Sequence, residues 1–108
     1  MTNIRFTRIE EYDDIDTRNH YRKLLREGGD TEQFLREQQE IGRDNARTPY
    51  QWDGTLYAGF STAKPWLRVN PNHTEVNAAR ELCDPDSVLN FFRRVVTLHK
   101  EHPDLVYG

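Results

Sequence analysis

The 108 residues have length for one domain at most, and 15 basic against 18 acidic residues leave a formal charge of -3 that argues against a general nucleic-acid binder. Leu, Ile, Val and Phe together number 24, just above the ~20% share below which a chain tends not to fold alone, so composition argues against an independent, tightly packed core. The single cysteine, Cys83, excludes an internal disulfide and a Cys-x-x-Cys site. No apolar run approaches the ~18–20 residues that span a bilayer, and Met1-Thr2-Asn3-Ile4 carries neither the basic nor the apolar region of a signal peptide. The expectation is a cytoplasmic chain with no membrane or nucleic-acid partner and no cofactor.

Along the chain, residues 1–16 hold scattered apolar positions (Ile4, Phe6, Ile9, Tyr12, Ile15) and a crowd of acids ending in Asp13, Asp14 and Asp16. Asp16 or Thr17 then caps a predicted helix over 18–27, with Tyr21, Leu24 and Leu25 at i, i+3, i+4, and Gly28-Gly29 ends it. Asp30 or Thr31 caps a second helix running to about Ile41, with Phe34 and Leu35 inward; Asp30 followed by Gln33 reads as a variant capping box, and Gly42 closes the helix. From Arg43 to Thr74 neither helical nor strand periodicity persists, while five aromatic residues (Tyr50, Trp52, Tyr57, Phe60, Trp66) stud the stretch. An irregular segment of this length is uncommon in a compact domain and points to a functional loop region. A short turn of helix is expected over 77–82. Asp84, Pro85 and Asp86 make a good start for a last helix over about 85–101, roughly 25 Å long, whose Val88, Phe91, Phe92, Val95, Val96 and Leu98 form a broad apolar face. Pro103 stops it, and Leu105-Val106-Tyr107 is expected to begin a strand.

The residue patterns alone favour bland chemistry. The acidic run from Glu10 to Asp16 lacks the spacing of a calcium loop and reads as a solvated face. His99 and His102 lack a third metal ligand, so no metal site is assigned. Arg43 stands out because it follows Gly42 at a helix end and precedes Asp44, Asn45 and Arg47. Its five fixed donors suit adjacent sugar hydroxyls or a carboxylate, and Tyr50 and Trp52 could offer a platform for a sugar ring. The competing reading is a set of ion pairs that holds a loop. No pair of carboxyl groups can be assigned as acid and nucleophile from spacing, so no catalytic residue is named.

The run Gly42-Arg43-Asp44-Asn45-Ala46-Arg47-Thr48-Pro49-Tyr50-Gln51-Trp52-Asp53 closely resembles a signature of the oligo-1,6-glucosidase and α-glucosidase group of glycoside hydrolase family 13. The likeness extends through Ala58-Gly59-Phe60-Ser61-Thr62, Lys64-Pro65-Trp66-Leu67-Arg68-Val69-Asn70-Pro71-Asn72 and Asp84-Pro85-Asp86-Ser87-Val88, with Tyr50 standing where the group usually has methionine. The resemblance implies an α/β fold, a (β/α)8 barrel, of which this chain is a C-terminal piece: mainly helical, with a long irregular loop and no complete sheet. Residues 1–83 would be the excursion after barrel strand eight, 85–101 helix eight, and 105–108 the entry to a C-terminal β-domain. It further implies a retaining, exo-acting α-glucosidase, with an oligosaccharide substrate and the remainder of the parent polypeptide as partners. The alternatives are a trehalose-6-phosphate hydrolase and, outside the class, a non-catalytic helical interaction module. The catalytic carboxylates would lie on earlier strands. Arg43 would contact hydroxyls of the terminal glucose, Asp16 would fall near a position serving the adjoining subsite, and Asp44 and Arg47 would hold the loop.

Overall fold

The computed structural model describes residues 2–107. Among them, five helices follow in order: α1 (Ile15–Glu27), α2 (Thr31–Ile41), α3 (Ala78–Cys83), α4 (Val88–Glu101) and α5 (Asp104–Tyr107), with 3-10 turns at Ile9–Glu11, Arg43–Ala46, Leu56–Gly59 and Pro71–Thr74. Among the described residues there is no strand.

Local sequence accounts for most helix ends. Asp30 caps α2 by accepting from the Gln33 N–H, Gly28 ends α1 in the left-handed region, and Asn77 caps α3. Two boundaries and one element differ from expectation. The cap of α1 is Asp14, whose carboxylate accepts from the Thr17 N–H, so Asp16 lies inside the first turn. The cap of α4 is Ser87, with Pro85 left in the connecting turn. Most consequentially, 104–107 forms a turn of helix where a strand was expected, and Gly108, at the end of that expected strand, lies outside the described residues. A strand needs a partner edge for its backbone groups, and none of the described residues provides one; the turn satisfies them locally through Leu105 N–H to His102 C=O and Tyr107 N–H to Pro103 C=O.

The core is small. Ile4, Phe6, Tyr12 and Leu67 pack together, with Ile9 and Leu35 against them. Phe6 and Tyr12 meet edge to face at 5.1 Å, and the Arg68 guanidinium lies over Phe6 at 5.7 Å. Asparagines tie the distant segments together. Asn70 Nδ2 donates to the Thr2 carbonyl, and Asn72 Nδ2 to the Thr2 hydroxyl. Asn3 and Asn45 both donate to carbonyls at the end of α2, groups that a helix leaves unsatisfied. Burial pushes the Tyr12 hydroxyl up to about 12, with the charges of Asp44 and Glu11 adding to it, and that hydroxyl has no hydrogen-bond partner among the described residues.

Beyond this core the chain is spread out. Its radius of gyration is 18.5 Å, against about 13 Å for a compact domain of this length. The α4 face expected to be apolar stands in solvent: Val88 is 77% exposed, Phe91 59% and Phe92 62%. Leu25 and Ile41 are exposed as well, so helices α1 and α2 pack mainly through Phe34, Tyr21 and the ring of His20.

Candidate functional site

Arg43 opens the 3-10 turn that follows α2. The turn can fold back onto the helix end because Gly42 has no side chain: a Cβ there would sit 2.6 Å from the Gln38 carbonyl oxygen and 3.3 Å from Tyr12 Cε1. This close approach brings Arg43 to the first turn of α1. Its Nη1 lies 3.0 Å from Asp16 Oδ2 and 3.8 Å from Asp14 Oδ1. The two residues singled out as substrate contacts, 27 positions apart in sequence, therefore form an ion pair.

Behind that pair sits a buried network. Asp44 is fully buried; its Oδ2 accepts the backbone N–H of Asp13 at 2.6 Å and of Asp14 at 2.9 Å, and its Oδ1 accepts from Arg47 at 3.3 Å. Asp14, also buried, is saturated: Oδ2 accepts from the Thr17 N–H and hydroxyl, each at 3.0 Å, and Oδ1 from Arg47 at 3.1 Å. The Thr17 backbone N–H is the main cause holding the Asp14 carboxyl below its ordinary value; burial opposes it, while the Thr17 hydroxyl, Arg47 and Arg43 reinforce it. Asp44 and Arg47 thus hold the loop, and Asp14, which the sequence did not single out, is the centre of the network. The spacing from Asp14 to Thr17 is the signal that could have found it, since an N-cap carboxylate bonds the third helical residue.

The acidic run is exposed at Glu10, Asp13 and Asp16, as expected of a solvated face, but Asp14 is buried and several of the acids are paired. Glu11 accepts from the Thr7 and Arg8 N–H groups and pairs with Arg68, Asp13 pairs with Arg18, and Asp16 pairs with Arg43.

Asp14, Asp16, His20, Phe34, Ile41 and Arg43 are among the residues lining a cleft of about 230 Å³. The His20 ring packs on Phe34 at 4.9 Å, so the cleft has an aromatic floor and a rim of opposite charges. Arg43 remains 65% exposed there. An exposed guanidinium offers several donors in a fixed plane, which matches vicinal hydroxyls of a sugar. Tyr50 and Trp52 do not join it. They meet each other at 4.7 Å, and Tyr50 lines a separate groove with Val88, Leu89 and Phe92, because the 3-10 turn and Pro49 carry the chain away from α1. Among the described residues no group of three or more His, Cys, Asp or Glu is placed to hold a metal ion.

The loop beyond the signature carries strain of its own. Tyr57, Ala58 and Gly59 are left-handed in succession, with φ of 54°, 57° and 64°, an arrangement costing non-glycine residues roughly 1–2 kcal/mol each. It is held by the Ala58 carbonyl, which accepts from both Trp52 and Asp53 N–H, and by the Asp53 carboxylate, which accepts from Thr55. The Thr55 hydroxyl and N–H keep the Asp53 carboxyl below its ordinary value.

Comparison with known proteins places this geometry in a family. Residues 3–108 match the model of the α-amylase catalytic domain. The oligo-1,6-glucosidase of Halalkalibacterium halodurans is 45% identical over 108 residues, all of this chain and 19% of the relative. The crystal structure of the isomaltulose synthase from Klebsiella sp. LX3 superposes with a TM-score of 0.92 at 42% identity, covering 100% of this chain and 20% of that one. That of the Bacillus licheniformis trehalose-6-phosphate hydrolase superposes with a TM-score of 0.90 at 37% identity over 97% of this chain and 19% of the other. The chain thus spans about one fifth of the length of the relatives it matches. On the family match over residues 3–108 and these identities, the chain belongs to the α-amylase catalytic-domain family.

Proposed function

We propose that this chain is the last part of the barrel of a retaining, exo-acting α-glucosidase of the oligo-1,6-glucosidase type. In this reading residues 1–83 form the excursion after strand eight, α4 is helix eight, and 105–108 lead to a C-terminal β-domain. The exposed apolar face of α4 then rests on barrel strands contributed by the remainder of the polypeptide, which accounts for a radius of gyration too large for a free-standing domain. That extension counts against a stand-alone helical module.

The observation that carries the proposal is the Arg43–Asp16 pair at the mouth of a cleft, set in a segment 45% identical throughout to an oligo-1,6-glucosidase. Arg43 would donate charge-assisted hydrogen bonds to hydroxyls of the terminal glucose, orienting the ring and excluding longer chains at that end. Asp16 would face the adjoining sugar. Elsewhere in the barrel, one carboxylate would attack the anomeric carbon and a carboxylic acid would protonate the leaving oxygen, before water releases glucose.

The test is a chimera in which these 108 residues replace the matching segment of the H. halodurans enzyme. Hydrolysis of p-nitrophenyl α-glucoside and isomaltose is the expected result. Inactivity of a folded chimera, or of a chimera that cannot fold, overturns the reading. Activity confined to trehalose 6-phosphate favours the hydrolase alternative raised by the B. licheniformis structure.

A further inference from the structure

We infer that Asp14 is a positioning residue: it sets the direction in which the Arg43 guanidinium meets the sugar, an assignment that rests on the substrate-contact reading of Arg43 just given.

Reciprocal anchoring is the basis. Asp44, the residue after Arg43, accepts the Asp14 N–H at 2.9 Å and so fixes the start of α1 to the Arg43 turn. Asp14 returns the attachment through its side chain, taking Arg47 at 3.1 Å and standing 3.8 Å from Arg43 Nη1. One guanidinium nitrogen, Nη1 of Arg43, therefore lies between two carboxylates of different character. Asp16 is 76% exposed and has Arg43 as its one side-chain partner among the described residues, whereas the Asp14 side chain is 7% exposed and pinned by two bonds from Thr17. An exposed surface carboxylate holds an arginine weakly, and a fixed buried one supplies a constant field. Nη1 is thus held near a fixed charge on the wall of the cleft that Arg43, Asp14 and Asp16 line together, which restricts how the guanidinium can turn toward a ligand there. Asp14 touches the sugar nowhere in this account; it acts through Arg43.

The test uses the chimera described above, with isomaltose as substrate. Asp14→Asn keeps the side-chain oxygen that caps α1, since asparagine is as good an N-cap as aspartate, and removes the charge. It is expected to lower kcat/KM about 10-fold, and to have less than a 2-fold effect when combined with Arg43→Ala, because interacting residues are non-additive. Thr17→Ala leaves the Asp14 charge in place and removes its hydroxyl anchor, together with a long hydroxyl contact to Gln38. It is expected to lower kcat/KM about 3-fold, again only when Arg43 is present, and it serves as the second variant should Asp14→Asn unfold. Equal losses with Arg43 intact and in the Arg43→Ala background, or no loss from either variant, would overturn the positioning role while leaving the substrate-contact reading intact. If Arg43→Ala itself leaves kcat/KM unchanged, the substrate-contact reading fails and this inference falls with it.

Discussion

The buried carboxylate of Asp44 holds the main chain at Asp14 through a 2.9 Å hydrogen bond, while Arg47 joins the same two residues by their side chains. The short signature turn is thereby bolted to the start of α1. Removing the Asp44 side chain leaves two backbone N–H groups without their acceptor and takes from Arg47 one of its two carboxylate partners. At about 1–3 kcal/mol for each stranded buried group, and with partial exposure of Arg47 lowering its share, Asp44→Ala should destabilise the chimera by about 2–4 kcal/mol. Urea unfolding of the two proteins measures this; a loss below about 1 kcal/mol contradicts the role.

Arg43 should matter for turnover far more than for stability. Charged hydrogen bonds are worth about 1.5–3 kcal/mol, and about 1.4 kcal/mol is a factor of ten. Arg43→Ala is expected to lower kcat/KM on isomaltose by about 10- to 100-fold with a change in melting temperature of no more than a few degrees. Arg43→Lys keeps the charge but not the planar fork and should fall between.

Asp14 predicts an acid limb. Its folded carboxyl titrates below the ordinary value of 3.8, so its contribution is complete above that pH and disappears as the pH falls through the lowered folded value. Urea midpoints taken between pH 6 and pH 2.5 should fall less steeply for Asp14→Asn than for the parent. Parallel curves for the two proteins would show that Asp14 carries no such linkage.

Tyr12 predicts the opposite limb. Its hydroxyl is raised from 10 to about 12, so the neutral form stabilises the fold below pH 10, and that contribution is lost as pH rises through about 12. Tyr12→Phe removes a buried hydroxyl with no partner among the described residues. It should leave stability at neutral pH unchanged or raise it by about 1 kcal/mol, and should flatten the loss seen between pH 9 and pH 12 when unfolding is followed by circular dichroism.

Phe91 separates a wet helix from a covered one. In the isolated chain it is 59% exposed, and Phe91→Ala should shift stability by less than about 0.5 kcal/mol. In the chimera, with the face covered by barrel strands, the same change should cost about 3–5 kcal/mol. Equal effects in the two settings, read from urea midpoints, would remove the argument that α4 lies against a barrel wall.

Local signals in the residues account for much of this fold. Asp30 ahead of Gln33, Gly28 after Glu27 and Asn77 ahead of α3 are cap residues whose side chains or conformational freedom act within a few positions of themselves, so a reading along the chain finds them. The apolar spacing of Val88, Phe91, Phe92 and Val95 likewise marks one face of a helix, and the family signature drew attention to Arg43. Where expectation and structure part, tertiary surroundings had a share in two of the three differences. The cap of α1 is Asp14 where Asp16 or Thr17 was expected: its carboxylate takes the Thr17 N–H, and Asp44, 30 residues away, holds its main chain in place. Residues 105–107 suit a strand by composition, yet no neighbouring edge among the described residues is there to pair with them, and the backbone closed on itself as a turn of helix.

Taken by itself, the order of residues determined that α1, α2, α3 and α4 exist and where most of them stop, which face of α4 is greasy and which arginine is unusual, because caps, period and motif are properties of neighbours in the chain. Only the folded arrangement decided which carboxylate meets which guanidinium. Asp16 comes to Arg43, and Asp14 to Arg47, by the closing of a turn on Gly42 against the end of α2. Charge attraction acts through distance in space, and no spacing in sequence encodes that distance.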